Sequence, residues 1–165
     1  MPCEMPAGPK PLIVRTRRRF SAPASRVWPL LCSSKMDGST RLLFKLGVPR
    51  PIECRLPAGS GGVGGERECV SDRGTVRQRI LEWDPERRLV FRMVSSDLAS
   101  VTETSELRDT FELTPEPGGV AVTRTTEVTP KAEVSSVRRA ELRVGIKQVH
   151  RYVFRNWIRL AEQSR

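Results

Sequence analysis

A chain of 165 residues with 38% hydrophobic content has the length of one ordinary domain and enough apolar material for a core. Its net charge of +10 and pI near 10.5 suit an acidic partner. Yet the cations are spread along the chain, aromatic residues are 5%, and no recognition-helix, zinc-finger or base-stacking motif is present, which argues against nucleic acid. No run approaches the roughly 20 apolar residues of a transmembrane segment. The first residues, with Glu4 and prolines up to Pro11, lack the hydrophobic centre of a secretory signal. The expectation is a cytoplasmic protein with a flexible tail at 1–11 and one domain at 12–165.

Cysteines stand at 3, 32, 54 and 69, with no pair at metal-ligand spacing, and His150 is the single histidine. No metal site is expected, and free thiols are expected in place of disulfides. The glycine run Gly61 to Gly65 lacks the Lys-Ser/Thr ending of a phosphate loop, and no cofactor is expected.

In chain order, Leu12 to Phe20 alternates, with Leu12, Val14, Thr16 and Phe20 on one side, as a half-buried strand does. Ser21-Ala22-Pro23 starts a short helix whose apolar face is Val27, Trp28, Leu30 and Leu31; Pro29 predicts a kink or two helical pieces. A second short helix is expected around Thr40 to Leu46, before the break at Pro49 to Pro51. Gly59 to Gly65 is expected to be a mobile loop.

Turn signals at Ser71-Asp72-Arg73-Gly74 and Asp84-Pro85-Glu86-Arg87 set the register of three strands. Glu66 then opposes Arg79 and Glu68 opposes Arg77 on an outer face. The inner face pairs Arg67 with Gln78, Cys69 with Val76, Ile80 with Phe91, and Gln78 with Met93. Leu107 to Leu113 and Val120 to Val128 form a further hairpin. Pairing Leu113 with Val120 sets Phe111 against Val122 and Asp109 against Arg124.

The C-terminal stretch from Thr129 to Arg165 carries an apolar stripe at Leu142, Ile146, Val149, Val153, Trp157 and Leu160, with helical spacing. Thr129-Pro130 is the expected helix start. Arg143, Lys147, Arg151, Arg155 and Arg159 recur every four residues as a basic ridge. The predicted fold is α+β: a curved antiparallel sheet of about six to seven strands around a long C-terminal helix, with one or two short helices after the first strand.

Phe20-Ser21-Ala22-Pro23-Ala24 with Val27-Trp28, then Gly64-Gly65-Glu66-Arg67, Ile80-Leu81-Glu82-Trp83-Asp84-Pro85 and Arg88-Leu89-Val90-Phe91, resemble the START-like (SRPBCC, helix-grip) superfamily. His150 through Glu162 is similar to its last helix, so the resemblance spans residues 12 to 163. It implies a hydrophobic cavity between sheet and helix in a superfamily that includes lipid carriers and polyketide cyclases. It implies no universal catalytic residue.

On that expectation, Ile80, Phe91, Met93, Phe111, Val122, Val149 and Val153 line a cavity for a small apolar or amphipathic ligand. Arg67, Gln78, Asp109 and Arg124 orient it. The alternatives for the polar residues are a cross-strand ion pair between Asp109 and Arg124 and an edge position for Arg67. His150 has no identifiable partner and is expected to bond backbone or water, and no catalytic residue is assigned. Two other functions remain: a polyketide cyclase or aromatase-like enzyme, and an interaction module whose basic ridge makes transient contact with an anionic surface.

Overall fold

A computed structural model describes residues 7–39 and 41–163. Residues 1–6 of the expected tail, Thr40 of the expected second helix and the end of the expected C-terminal helix at 164–165 lie outside the described residues. The alternating segment forms strand β1 (Leu12–Phe20), and helix α1 (Ala24–Cys32) follows. Pro29 sits inside α1 without dividing it; Val27, Trp28 and Leu31 are buried around it and anchor one continuous helix. The next pieces are a two-residue strand β2 (Ser34–Lys35), one helical turn α2 (Leu42–Lys45) and β3 (Pro51–Arg55). Then come β4 (Glu66–Ser71), β5 (Gly74–Asp84), β6 (Arg88–Ser96), a 3-10 turn at Ala99–Val101, β7 (Thr104–Glu116), β8 (Gly119–Pro130) and α3 (Ser136–Gln163).

The strands form one antiparallel sheet in the order β1-β8-β7-β6-β5-β4-β3-β2. The fold is the expected helix-grip α+β arrangement, with eight strands because β2 and β3 extend the edge. The register of β4 with β5 and of Gln78 with Met93 and Ile80 with Phe91 is the one the turns dictate. The β7–β8 hairpin differs. Its strands run on to Glu116 and Gly119, leaving Pro117-Gly118 as the turn, with Gly118 at φ 76°. Leu113 therefore pairs with Val122, Phe111 with Arg124 and Asp109 with Thr126, two residues from the expected register. An even shift keeps each side chain on its face.

Thr129 and Pro130 end β8 and do not begin the helix. The start of α3 is capped by Ser135, whose Oγ accepts from the Arg138 amide at 3.2 Å. The C-terminal half of α3 packs Tyr152, Val153, Phe154 and Trp157 against Phe20, Phe91, Phe111 and Val122. Burial of each such aromatic contributes about 2 kcal/mol or more. The N-terminal half packs Leu142 and Ile146 on Leu12, Val14 and Val128.

Along the edge of the sheet, Arg139 donates to the carbonyls of Lys10 and Pro11, Arg143 to that of Ile13, and Lys147 to that of Arg15. Two lengths match here: four helical residues advance about 6 Å and two strand residues about 6.6 Å. Arg143 and Lys147 of the expected basic ridge are therefore turned onto β1. Arg155 bonds Ser39, Arg159 bonds Asn156, and Arg151 is exposed.

Cys54 and Cys69 oppose each other in the β3–β4 pair and are joined by a disulfide. This corrects the expectation of free thiols. Their pairing depends on β3, a strand that the Pro49 to Pro51 break concealed. Cys32 is a free thiol, and burial pushes it up to about 11 while Arg67 opposes the shift. No helix among the described residues is long and apolar enough to cross a membrane.

Candidate functional site

The inner face of the sheet carries polar side chains where its pattern would place apolar ones. Arg67 of β4 is 3% exposed, its Cζ 3.5 Å from the centroid of the Phe91 ring. Its Nε donates to Gln78 Oε1 at 2.9 Å, and its Nη1 to the Leu31 carbonyl in the last turn of α1. That carbonyl belongs to the negative end of a helix, which favours a cation. Gln78 Nε2 donates in turn to Asp109 Oδ2 at 3.4 Å.

Asp109, 3% exposed, takes both forks of Arg124, Nε at 3.1 Å and Nη2 at 3.0 Å. The shifted register makes this a diagonal pair, within reach of a long side chain. The Thr126 hydroxyl also donates to Asp109. Burial opposes the Asp109 charge, but Arg124 and Thr126 outweigh it and hold the carboxyl well below the usual carboxylate range.

His150 is 0% exposed and lies between two threonines, Nδ1 2.9 Å from Thr16 Oγ1 and Nε2 2.7 Å from Thr126 Oγ1. The proton assignment follows from the ends of this chain. Asp109 is ionised and only accepts, so Thr126 gives it its hydrogen and accepts from His150 Nε2–H. The Lys147 ammonium only donates, reaching Thr16 Oγ1 at 2.8 Å, and Thr16 gives its hydrogen to Nδ1. His150 is therefore neutral. Burial pushes it down to about 3, with Arg124 adding to the shift and Asp109 opposing it. A single directed run thus extends from Lys147 to Asp109, and Gln78 continues it to Arg67.

At the Arg67 end lies a cavity of about 560 Å³, under the connection from β3 to β4. Ser33, Arg55, Leu56, Pro57 and Ser60 line it together with Glu66, Arg67 and Glu68 of β4 and Arg77 of β5. The connection is held down where Gly61 lies against Trp83, which packs edge-on to Trp28 at 5.2 Å. The Gly64 amide donates to the Ile80 carbonyl at 2.9 Å.

Of the residues expected to line a ligand site, Arg67 is on the wall of this cavity. Gln78, Asp109 and Arg124 join it through hydrogen bonds. Ile80, Phe91, Phe111 and Val122 have no exposure and form packed core, with Phe111 5.8 Å from Trp157. Val153 is buried beside them, and Val149 and Met93 are partly buried. Sequence reasoning missed Thr16, Thr126 and the partners of His150. Thr16 and Thr126 sit on core-facing strand positions beside valines and leucines, which is the one signal that could have found them.

Comparison with known proteins supports the architecture. The chain is similar to Ara h 8.0201 (TM-score 0.69, 12% identity, 94% of this chain and 100% of that one). It is similar to protein CV1439 from Chromobacterium violaceum (TM-score 0.63, 19% identity, 92% and 97%). A third likeness is to protein MLL2253 from Mesorhizobium loti (TM-score 0.63, 16% identity, 93% and 98%). No curated protein matches the sequence. Residues 11–163 match the family described as polyketide cyclase / dehydrase and lipid transport, and the chain belongs to that family.

Proposed function

We propose that this protein binds a small, largely apolar ligand, admitted through the cavity beside Arg67 and oriented by the buried polar chain. The observation that carries this reading is the chain itself, buried beside a cluster of aromatic and aliphatic side chains. Buried ionic groups of this kind are often replaceable by apolar ones without loss of stability, and departures from apolar packing concentrate at functional sites. The family description, which joins cyclases and dehydrases with lipid transport, supports an apolar ligand.

In this reading Arg67, Gln78, Asp109 and Arg124 fix the polar end. Ile80, Phe91, Met93, Phe111, Val122, Val149 and Val153 supply the apolar wall after the connection over the cavity lifts. Native mass spectrometry and thermal shift with fatty acids, sterols and aromatic polyketides test it. A bound mass with a raised Tm is expected, weakened by Leu56→Trp at the mouth; a folded protein that takes up none of these compounds overturns the reading.

A second reading, a polyketide cyclase-like enzyme, is favoured by the link from Asp109 through Thr126 to His150. In this reading the Asp109 carboxylate holds the Arg124 guanidinium in place to polarise a substrate carbonyl, while the cavity keeps the chain folded for ring closure. Turnover of a poly-β-carbonyl substrate would then fall by about 100-fold or more in Asp109→Asn. Unchanged turnover in folded Asp109→Asn removes Asp109 from the reaction.

A further inference from the structure

The buried ionic groups do not balance. Asp109 is matched by Arg124 at 3.0 Å, His150 is neutral, and Arg67 forms no salt bridge among the described residues. The acid whose charge acts on it, Asp109, stands beyond Gln78. Burial draws Arg67 down to about 9, with Asp109 opposing the shift, so it remains a cation at neutral pH. The core thus holds one positive charge in excess.

The free valence of that charge has a direction. Nε and Nη1 of Arg67 are taken by Gln78 and Leu31, and one face of the guanidinium lies on Phe91. Nη2 has no acceptor among the described residues, and no buried side-chain polar atom among them lacks a partner. Nη2 is therefore the nitrogen that opens on the cavity. The other charges of the wall are already matched. Arg55 pairs with Glu53 at 3.3 Å, Glu66 with Arg77 at 2.8 Å and Arg79 at 2.7 Å, and the exposed Glu68 lies 4.0 Å from Arg77.

We propose that Arg67 is the anion-recognition point of this cavity, and that the ligand is an amphipathic carboxylate whose charged end meets Nη2 while its apolar body lies against Leu56 and Pro57. The inference rests on the apolar-ligand reading above and names the ligand's polar end. A guanidinium already oriented by two hydrogen bonds and a ring loses little further freedom on binding, which favours a carboxylate over a neutral group.

Binding of decanoate, methyl decanoate and decanol, measured by titration calorimetry below their aggregation limits, tests it. Decanoate binds about tenfold or more tightly than its ester. The preference disappears in Arg67→Met and persists in Arg73→Gln, an exposed arginine away from the cavity. Equal affinities for acid and ester in the native protein, or a preference that survives Arg67→Met, overturn the proposal and leave the apolar-ligand reading standing. If none of the three binds, that reading fails with it. Should Arg67→Met not fold, decanoate labelled with ¹³C at its carboxyl decides the matter on the native protein. Bound, it titrates about one pH unit or more below the free acid; an unchanged or raised midpoint overturns the proposal.

Discussion

His150 reaches Asp109 through one hydroxyl, that of Thr126, which accepts from the imidazole at 2.7 Å and gives its hydrogen to the carboxylate. Because Thr16 gives its hydrogen to the other ring nitrogen at 2.9 Å, a second proton on His150 would point at that hydrogen and break the contact. The imidazole is thus held neutral by the order of its partners as well as by burial.

A pH dependence of stability follows. The unfolded His150 takes up its proton near 6.5, whereas in the fold it does so only near about 3. Between those values the unfolded chain binds the extra proton, so His150 contributes stability above pH 6.5 that is lost as pH falls toward 3. Urea unfolding of the native protein should lose on the order of 3 kcal/mol more than His150→Gln between pH 6.5 and 4. Parallel profiles would show that the imidazole titrates freely.

Asp109→Asn removes the one carboxylate that Arg124 faces in the core and lowers the negative field at Arg67. The loss is expected to be about 3–5 kcal/mol at pH 7, the usual cost of stranding a buried partner. In native Asp109 the folded carboxyl titrates below its ordinary value, so its contribution is complete above the usual carboxylate range and disappears as pH falls below it. Chemical denaturation at pH 7 and at pH 3 checks both statements: the penalty of the substitution should shrink at the lower pH.

Much of this arrangement was legible before the structure. Glu66, Glu68, Arg77 and Arg79 declare the outer face of β4 and β5 because opposite charges fall opposite each other around short turns. Asp109 and Arg124 met despite a register wrong by two, since a two-residue slip leaves both on the same face. His150 was opaque for a different reason: its partner Thr16 lies 134 residues away, on a strand whose place beside β8 no local pattern reveals. The helix start was misplaced because Thr-Pro caps a helix and ends an edge-paired strand equally well; Ser135 carries the cap.

The Cys54–Cys69 bond closes a loop of 15 residues that includes the roof of the cavity. Its removal in Cys54→Ser/Cys69→Ser should cost about 3 kcal/mol by loop-closure entropy. Thiol alkylation followed by mass spectrometry of the unreduced protein should leave Cys54 and Cys69 unlabelled and label Cys32 faster after unfolding, because in the fold this half-buried thiol is held protonated.

Gly65 admits no side chain where it stands, since a Cβ there would lie 1.7 Å from the Ser60 carbonyl oxygen. Gly65→Ala must displace the connection over the cavity, which reaches the main core cluster through the partly buried Leu56. Ligand affinity should fall by about tenfold or more, the scale of one well-made polar contact, with a smaller fractional change in unfolding midpoint. An affinity that does not change would separate that connection from the binding site.

The row of contacts from Arg139, Arg143 and Lys147 to the carbonyls of Pro11, Ile13 and Arg15 bears on how molecules of this protein meet one another. A strand at the rim of a sheet is a template for another chain, and a long rim invites fibrils or exchanged dimers. Here the acceptors that such a chain would need are already occupied by three basic side chains. At the opposite rim β2 has only two residues, too few to seat a partner. The sheet therefore ends in solvent on both sides without offering a free zipper, and the helix that fills the core at one end insulates the molecule from its neighbours at the other.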